Sequence, residues 1–233
     1  MTIGYNGSGL LMAEAVGAGT VCMDAIVLHA LAAPYNGTSR SLTTPAAQGA
    51  IAVNQDSVRY YAENAAYAEL GAATLAQEKA YCIMNEDLFN VPGIKNGHGL
   101  SCIKEMYIIR DTIEELAEAI GVPADNLKAT VERYGEFVRN GKDEDFGKSA
   151  NALTSDFSKG PYYVVAAQPE NHTVYGGITT HIDMQVLRED GSAASGLYSA
   201  GEINCAKIPR LNLSMTIDQG RVAARAIAAS FKK

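Results

Sequence analysis

Gly196-Leu197-Tyr198-Ser199-Ala200-Gly201-Glu202, followed by Gly220-Arg221 inside an Ala-rich run, is the stretch on which the fold turns. It reads as a short strand that stops at a glycine, with a carboxylate placed just beyond the stop. The Ala-rich run then predicts a closing helix over about 214–231. Upstream, 181–187 alternates like a strand, Gly176-Gly177 marks a tight turn, and 162–167 reads as another strand. Before it lies a polar, loop-like stretch over 141–160.

Further upstream the period changes to helical. Thr112 and Glu115 fit a capping box, and Leu116, Ala119 and Ile120 form an apolar stripe that Gly121 ends. Pro123 suits a first helical turn, Leu127, Val131, Tyr134 and Val138 recur at helical spacing, and Gly141 closes the segment. Short apolar runs at 21–32, 49–54 and 80–84 predict strands, and an Ala-rich stretch occupies 67–77. The first glycines, at 4, 7 and 9, have GxxGxG spacing rather than the dinucleotide pattern GxGxxG, and lead into a helix that Gly17 ends. Strands and helices in this order predict an α+β fold.

Composition sets the outer limits. A chain of 233 residues with 47% hydrophobic and 19% charged residues has the make-up of an ordinary globular protein with a substantial core. A net charge of −7 argues against general binding to nucleic acid or anionic membranes, which takes clustered Lys and Arg. The four cysteines form no CxxC pair and no histidine sits at ligand spacing from them. Neither a zinc site nor a disulfide framework is expected; reduced, mostly buried thiols in a cytoplasmic protein are. No leader-like or membrane-spanning run is visible in the sequence.

Several pieces, taken in order, resemble one family. The 196–202 run with Gly220-Arg221 resembles the C-terminal signature of the fumarate reductase and succinate dehydrogenase flavoprotein superfamily, which includes ketosteroid dehydrogenases. Gln168-Pro169-Glu170-Asn171-His172-Thr173-Val174-Tyr175-Gly176-Gly177 is similar to its active-site stretch, and 112–146 to the helical pair of its substrate-capping domain. Gly7-Ser8-Gly9 with Met12-Ala13 resembles the turn and helix that precede the cap. The resemblance covers nearly the whole chain. It implies an α+β fold in which a substrate-capping domain (26–168) is inserted in the remains of a FAD-binding α/β domain (1–25 and 169–233). It also implies that the Rossmann-like segment carrying GxGxxG lies outside this sequence, so that the FAD site in this chain is incomplete.

The family chemistry exchanges hydride at flavin N5 and needs a proton donor or acceptor for the other carbon, with groups that polarise the substrate carbonyl. The resemblance implies a substrate-side role for His172 and, inside the apolar run, for His29, although Ala30 stands where the family usually has proline. Arg59-Tyr60-Tyr61-Ala62-Glu63 matches an Arg-aromatic-x-x-Glu motif, but Tyr67 stands where fumarate reductases carry their proton-delivering arginine. Tyrosine lacks the permanent cation and two-pronged carboxylate grip of arginine, yet its phenol can pass a proton or hydrogen-bond a ketone. Of the two substrates the resemblance implies, a fumarate-like acid or a ketosteroid-like enone, Tyr67 favours the bulkier, less charged enone. Arg210 resembles the family's carboxylate-binding arginine, though Asn212-Leu213 replaces a double glycine beside the flavin. Gly176, Gly201 and Glu202 are expected at the cofactor, Glu202 on a ribose or ribityl hydroxyl. Ser214 and Met215, at the start of the last helix, are expected at the pyrimidine edge.

Two functional readings follow. One is part of a FAD-dependent oxidoreductase that reduces or forms an activated C=C bond. The other is a non-catalytic remnant or interaction module, favoured by Tyr67 and Asn212-Leu213. Expected partners are a small-molecule substrate, the missing N-terminal half or an external electron donor, and a second copy of the chain; nucleic acid and membrane spans are not.

Overall fold

The computed structural model describes residues 6–95, 103–204 and 213–231. In chain order the elements are α1 Ser8–Ala15, β1 Thr20–Val21, β2 Ile26–Tyr35, β3 Thr38–Ser41, α2 Thr43–Ala47, β4 Ile51–Asn54, α3 Tyr67–Leu75, β5 Ala80–Asn85, α4 Glu86–Phe89, α5 Pro92–Lys95, β6 Ile108–Arg110, α6 Ile113–Ile120, α7 Ala124–Asn140, β7 Tyr162–Val174, β8 Gly177–Ile178, β9 Gln185–Leu187, β10 Ala193–Tyr198 and α8 Leu213–Ser230. They form antiparallel sheets with helices, an α+β chain. The contacts divide it into two compact units, Leu28–Glu170 and the combination of Met1–Val27 with Asn171–Lys233.

The larger unit is built on a six-stranded sheet in the order β3-β2-β7-β5-β4, with β6 also on β7. Its central strands are buried on both faces, which is why they read as continuous apolar runs. Alternation still sorts them. Ile51, Val53, Tyr81, Ile83, Tyr162 and Val164 face the stripe of Leu116, Leu127, Val131 and Tyr134 on α6 and α7. Ala52, Cys82, Met84, Tyr163 and Val165 face Leu31, Leu42, Leu88 and Phe89.

The helix pair starts and stops where its punctuation says. The Thr112 hydroxyl accepts from Glu115 N at 3.2 Å, and the Glu115 carboxylate accepts from Thr112 N at 3.3 Å. Gly121 and Gly141 both end helices in the left-handed region, at φ 69° and 67°, where a glycine meets no steric penalty. Pro123 is the residue before α7 rather than part of its first turn, because its extended ψ of 114° hands over to the helix at Ala124.

Several strand expectations change. The apolar run at 21–32 is split, because the chain turns over 22–25 with Cys22 at φ 56° and the second strand starts at Ile26. The strand expected to stop at Gly201 runs over Ala193–Tyr198 and ends before it. The strand that begins at Tyr162 does not stop at Ala167 but continues to Val174. The span 181–187 is a strand only over Gln185–Leu187. Asp183 Oδ1 accepts from Gln185 N at 3.1 Å and Met184 adopts φ 68°, so 181–184 is a turn whose polar residues mimic alternation. Nor are the described thiols uniformly buried: Cys82 is buried and Cys22 exposed, both unpaired. Cys102 and Cys205 lie outside the described residues.

In the larger unit four charged side chains are buried together. Arg59 donates to Glu63 Oε1 at 2.8 Å and to Asp143 Oδ2 at 2.8 Å. Lys148 Nζ lies 3.2 Å from Glu63 Oε2 and donates to the Ala50 carbonyl at 2.6 Å. Two cations meet two carboxylates, and Glu63 also accepts from Ala52 N, so the group is neutral and tied to β4. The Arg-aromatic-x-x-Glu motif is thus an anchor that fixes the segment leading into α3.

In the smaller unit β1 pairs with β8 and β9 with β10. Ala13, Ala18, Ile178, Val186 and Ala194 form its core.

Candidate functional site

Each unit carries some of the residues expected at the site. In the larger unit, His29 stands on β2 and Tyr67 opens α3. Their ring centroids are 5.9 Å apart and inclined at 57°. His29 is half-buried and Tyr67 is 36% exposed, so the pair is reachable from solvent. Gly71, one turn along α3, explains the close seat: a Cβ there would touch Leu28 and lie 3.9 Å from the Ala30 Cα. The helix therefore lies flat on the strand that carries His29. The Ser41 hydroxyl sits 3.4 Å from His29 Nδ1 and donates to Thr43 Oγ1 at 2.9 Å.

In the smaller unit, β10 leads into a turn at Gly201 and Glu202. Gly201 has φ 99°, a conformation that a side chain resists, and its N–H donates to Gln219 Oε1 on α8 at 2.8 Å. Buried Asn204 ties the far side of the turn to the Ser199 carbonyl at 2.9 Å. The turn is therefore clamped to α8. Glu202 is exposed, and its carboxylate accepts from the Thr173 hydroxyl, one residue from exposed His172. Ser214 is exposed and Met215 half-buried in the first turn of α8, a turn with no acidic residue.

Gly176 has a packing reason of its own. A Cβ there would lie 2.3 Å from the Cys22 carbonyl oxygen and 2.7 Å from the Met23 Cα. Arg210 lies outside the described residues, as does Asn212. Ser41, Thr43, Asn204 and Gln219 carry no motif that singles them out in the sequence, and Thr173 lies within the 168–177 stretch without a role of its own there; each takes its place from strand register or helix packing. Among the described residues no group of three or more His, Cys, Asp or Glu could hold a metal ion, and no helix is long and apolar enough to cross a membrane.

Comparison with known proteins agrees with the fold. Residues 2–214 match the family described as FAD binding domain, and the chain belongs to that family. It is 31% identical over 203 residues to the NADH:fumarate oxidoreductase of Klebsiella pneumoniae (strain 342), covering 86% of this chain and 21% of that protein. The open conformation of a flavocytochrome c3 fumarate reductase superposes with a TM-score of 0.74 and 29% identity, over 93% of this chain and 39% of the other. The 3-ketosteroid delta1-dehydrogenase of Sterolibacterium denitrificans, solved with 1,4-androstadiene-3,17-dione, also gives 0.74, with 26% identity over 96% of this chain and 47% of the other. The chain thus spans less than half the length of each.

The donor set fits FAD. An exposed carboxylate on a rigid turn suits a sugar or ribityl hydroxyl. An eighteen-residue helix whose first turn lacks acidic side chains suits an electron-rich ring edge.

Proposed function

We propose that this chain is part of a FAD-dependent oxidoreductase that reduces or forms a C=C bond conjugated to a carbonyl, and that its substrate is an uncharged enone rather than a dicarboxylate. The observation that supports this reading is the His29–Tyr67 pair: an imidazole and a phenol side by side and open to solvent. A phenol can donate to an enone oxygen and draw charge toward it, which lowers the barrier to hydride exchange at the β-carbon. An imidazole beside it can hold or accept a proton. Neither replaces the fixed positive charge that a second carboxylate would need.

FAD, when bound, supplies hydride exchange at N5. Glu202 would hold a cofactor hydroxyl, with Gly201 keeping the backbone close, and Ser214 and Met215 would sit at the pyrimidine edge. His172, Gly176 and Arg210 are assigned the substrate-side and cofactor-side roles their motif positions imply. The remainder of the cofactor grip would come from a segment outside this sequence or from a partner, with electrons from an external donor; the protein would work as a homo-oligomer.

The test compares cyclohex-2-enone with fumarate as probes of the purified chain, followed by the NMR signals of His29 and Tyr67. We expect enone to shift both signals and fumarate to leave them in place, and Tyr67→Phe to weaken the enone response roughly tenfold, the worth of one hydrogen bond of ~1.4 kcal/mol. Fumarate shifting both while enone shifts neither would overturn the substrate assignment. Visible absorption after addition of FAD and desalting tests cofactor contact, with Glu202→Gln as the weakened control.

A further inference from the structure

The turn that carries Glu202 and the helix α8 are separate elements, and a cofactor that touches both needs them at a fixed spacing. One side chain between them meets that need. The Gly201 N–H can only donate, so the Gln219 atom it meets at 2.8 Å is the amide oxygen. Gly201 is buried, which makes this N–H costly to leave unpaired. Asn204 argues the same way. Its Nδ2 donates to the Ser199 carbonyl at 2.9 Å, so it is the donor end that also approaches Gln219 Oε1, at 3.5 Å. Its other end, Oδ1, accepts from the Ser199 hydroxyl at 2.5 Å. Two donors from the turn therefore converge on one oxygen of α8.

We propose that Gln219 is a positioning residue, whose Oε1 ties the 199–204 turn to α8 and so fixes the Glu202 carboxylate relative to Ser214 and Met215. The inference rests on the reading of Glu202 and the first turn of α8 as cofactor contacts, and it says what keeps the two in register. Gln219 lies one helical turn beyond Met215, so the helix itself transmits its position to the first turn. The ends of the loop are held elsewhere. The Ser199 N–H bonds to the Met184 carbonyl at 3.0 Å, and the Ile178 N–H to the Ile203 carbonyl at 2.9 Å. The bonds to Gln219 add the tie to α8. Gly201 rests against that helix, since a Cβ there would lie 3.7 Å from Thr216 Cγ2. A glycine has no side chain to interlock with its neighbour, so its place along α8 is set by the bond.

NMR of the labelled chain reads the tie directly, as a scalar coupling across the hydrogen bond from the Gly201 nitrogen to the Gln219 side-chain carbonyl carbon. The expected result is a measurable coupling and a Gly201 amide protected from exchange. Gln219→Met keeps the length and the helix but offers no oxygen. Exchange at Gly201 should then quicken roughly tenfold, the effect of one hydrogen bond on a buried donor. The Glu202 and Ser214 signals should shift with it, while those of Ile178 and Val186 in the core stay in place. Gln219→Glu keeps an acceptor and should restore the protection. Gln219→Lys sets a donor against a donor and should not. A role in packing alone would be filled by Met and Lys as well as by Glu, so the order of the variants separates the two. Added FAD should shift the wild-type Glu202 and Ser214 signals together, and Gln219→Met should need roughly tenfold more of it. A wild-type chain without the coupling overturns the proposal with no variant needed. So does a well-dispersed Gln219→Met spectrum in which Gly201 stays protected. FAD that leaves the wild-type signals in place overturns the cofactor reading instead, because the coupling and the exchange are measured without flavin.

Discussion

Gly176 shows what a single residue can decide. It belongs to the Gly176-Gly177 pair that marks a tight turn in the sequence, and the family resemblance places it beside the cofactor. The structure adds a local reason for glycine: the backbone of Cys22 and Met23 occupies the space where a Cβ would stand. Those neighbours are main-chain atoms, so they cannot swing away as a side chain can. Gly176→Ala should therefore cost about 2 kcal/mol or more, in the upper part of the range for overpacking. Urea denaturation followed by tryptophan-independent far-ultraviolet circular dichroism would measure it. A variant within ~0.5 kcal/mol of wild type would mean that the turn has room to relax. Cys82 is a second residue-scale case. Burial pushes its thiol up to about 12, with Glu63 adding to the effect and Lys148 opposing it, so it should stay unmodified by thiol reagents at neutral pH while exposed Cys22 reacts.

Elements differ in how far their sequence explains them. The α6–α7 pair was legible because its signals are local. Thr112 and Glu115 answer each other three residues apart, and the apolar stripe faces one sheet surface. Removing the cap in Thr112→Ala should cost ~1 kcal/mol, seen as a lower urea midpoint with an unchanged slope. Strand β7 was only half legible. Its first part is apolar and buried, but Gln168 to Thr173 is polar or proline and gives no local strand signal. The turn at 181–184 misleads for the opposite reason: its polar alternation is local, yet Asp183 spends its carboxylate on the turn itself. The hydroxyl pair behind His29 left no mark in the sequence, since Ser41 and Thr43 take their place from the β2–β3 register. His29 and Tyr67 could be picked out one by one from motif positions, but their nearness depends on α3 lying flat on β2 at Gly71.

At the scale of the whole molecule, the question is which of its charges govern stability. Exposed pairs such as Lys128 with Glu114, or Lys142 with Glu144, contribute little, because water already solvates them. The buried group of Arg59, Glu63, Asp143 and Lys148 is different. Burial pushes the Glu63 carboxyl up, but Lys148 and Arg59 outweigh it and hold it below its ordinary value. Burial likewise raises Asp143, and Arg59 with the backbone N–H groups of Lys148 and Phe146 brings it below its usual range. A carboxyl depressed on folding stabilises the protein above its unfolded pKa, about 4. That stabilisation is lost as the pH falls through the lower folded value. Glu63→Gln should therefore cost ~3–5 kcal/mol at pH 7, because it leaves two buried cations facing one carboxylate. The gap to wild type should begin to narrow once the pH falls below about 4, because the unfolded wild-type carboxyl then takes up a proton that folded Glu63, held below its ordinary value, resists. Urea unfolding at pH 7 and pH 3 tests this. A gap that stays constant from pH 7 to pH 3 would mean that Glu63 contributes packing and hydrogen bonds alone, and that the acid sensitivity of the molecule arises elsewhere.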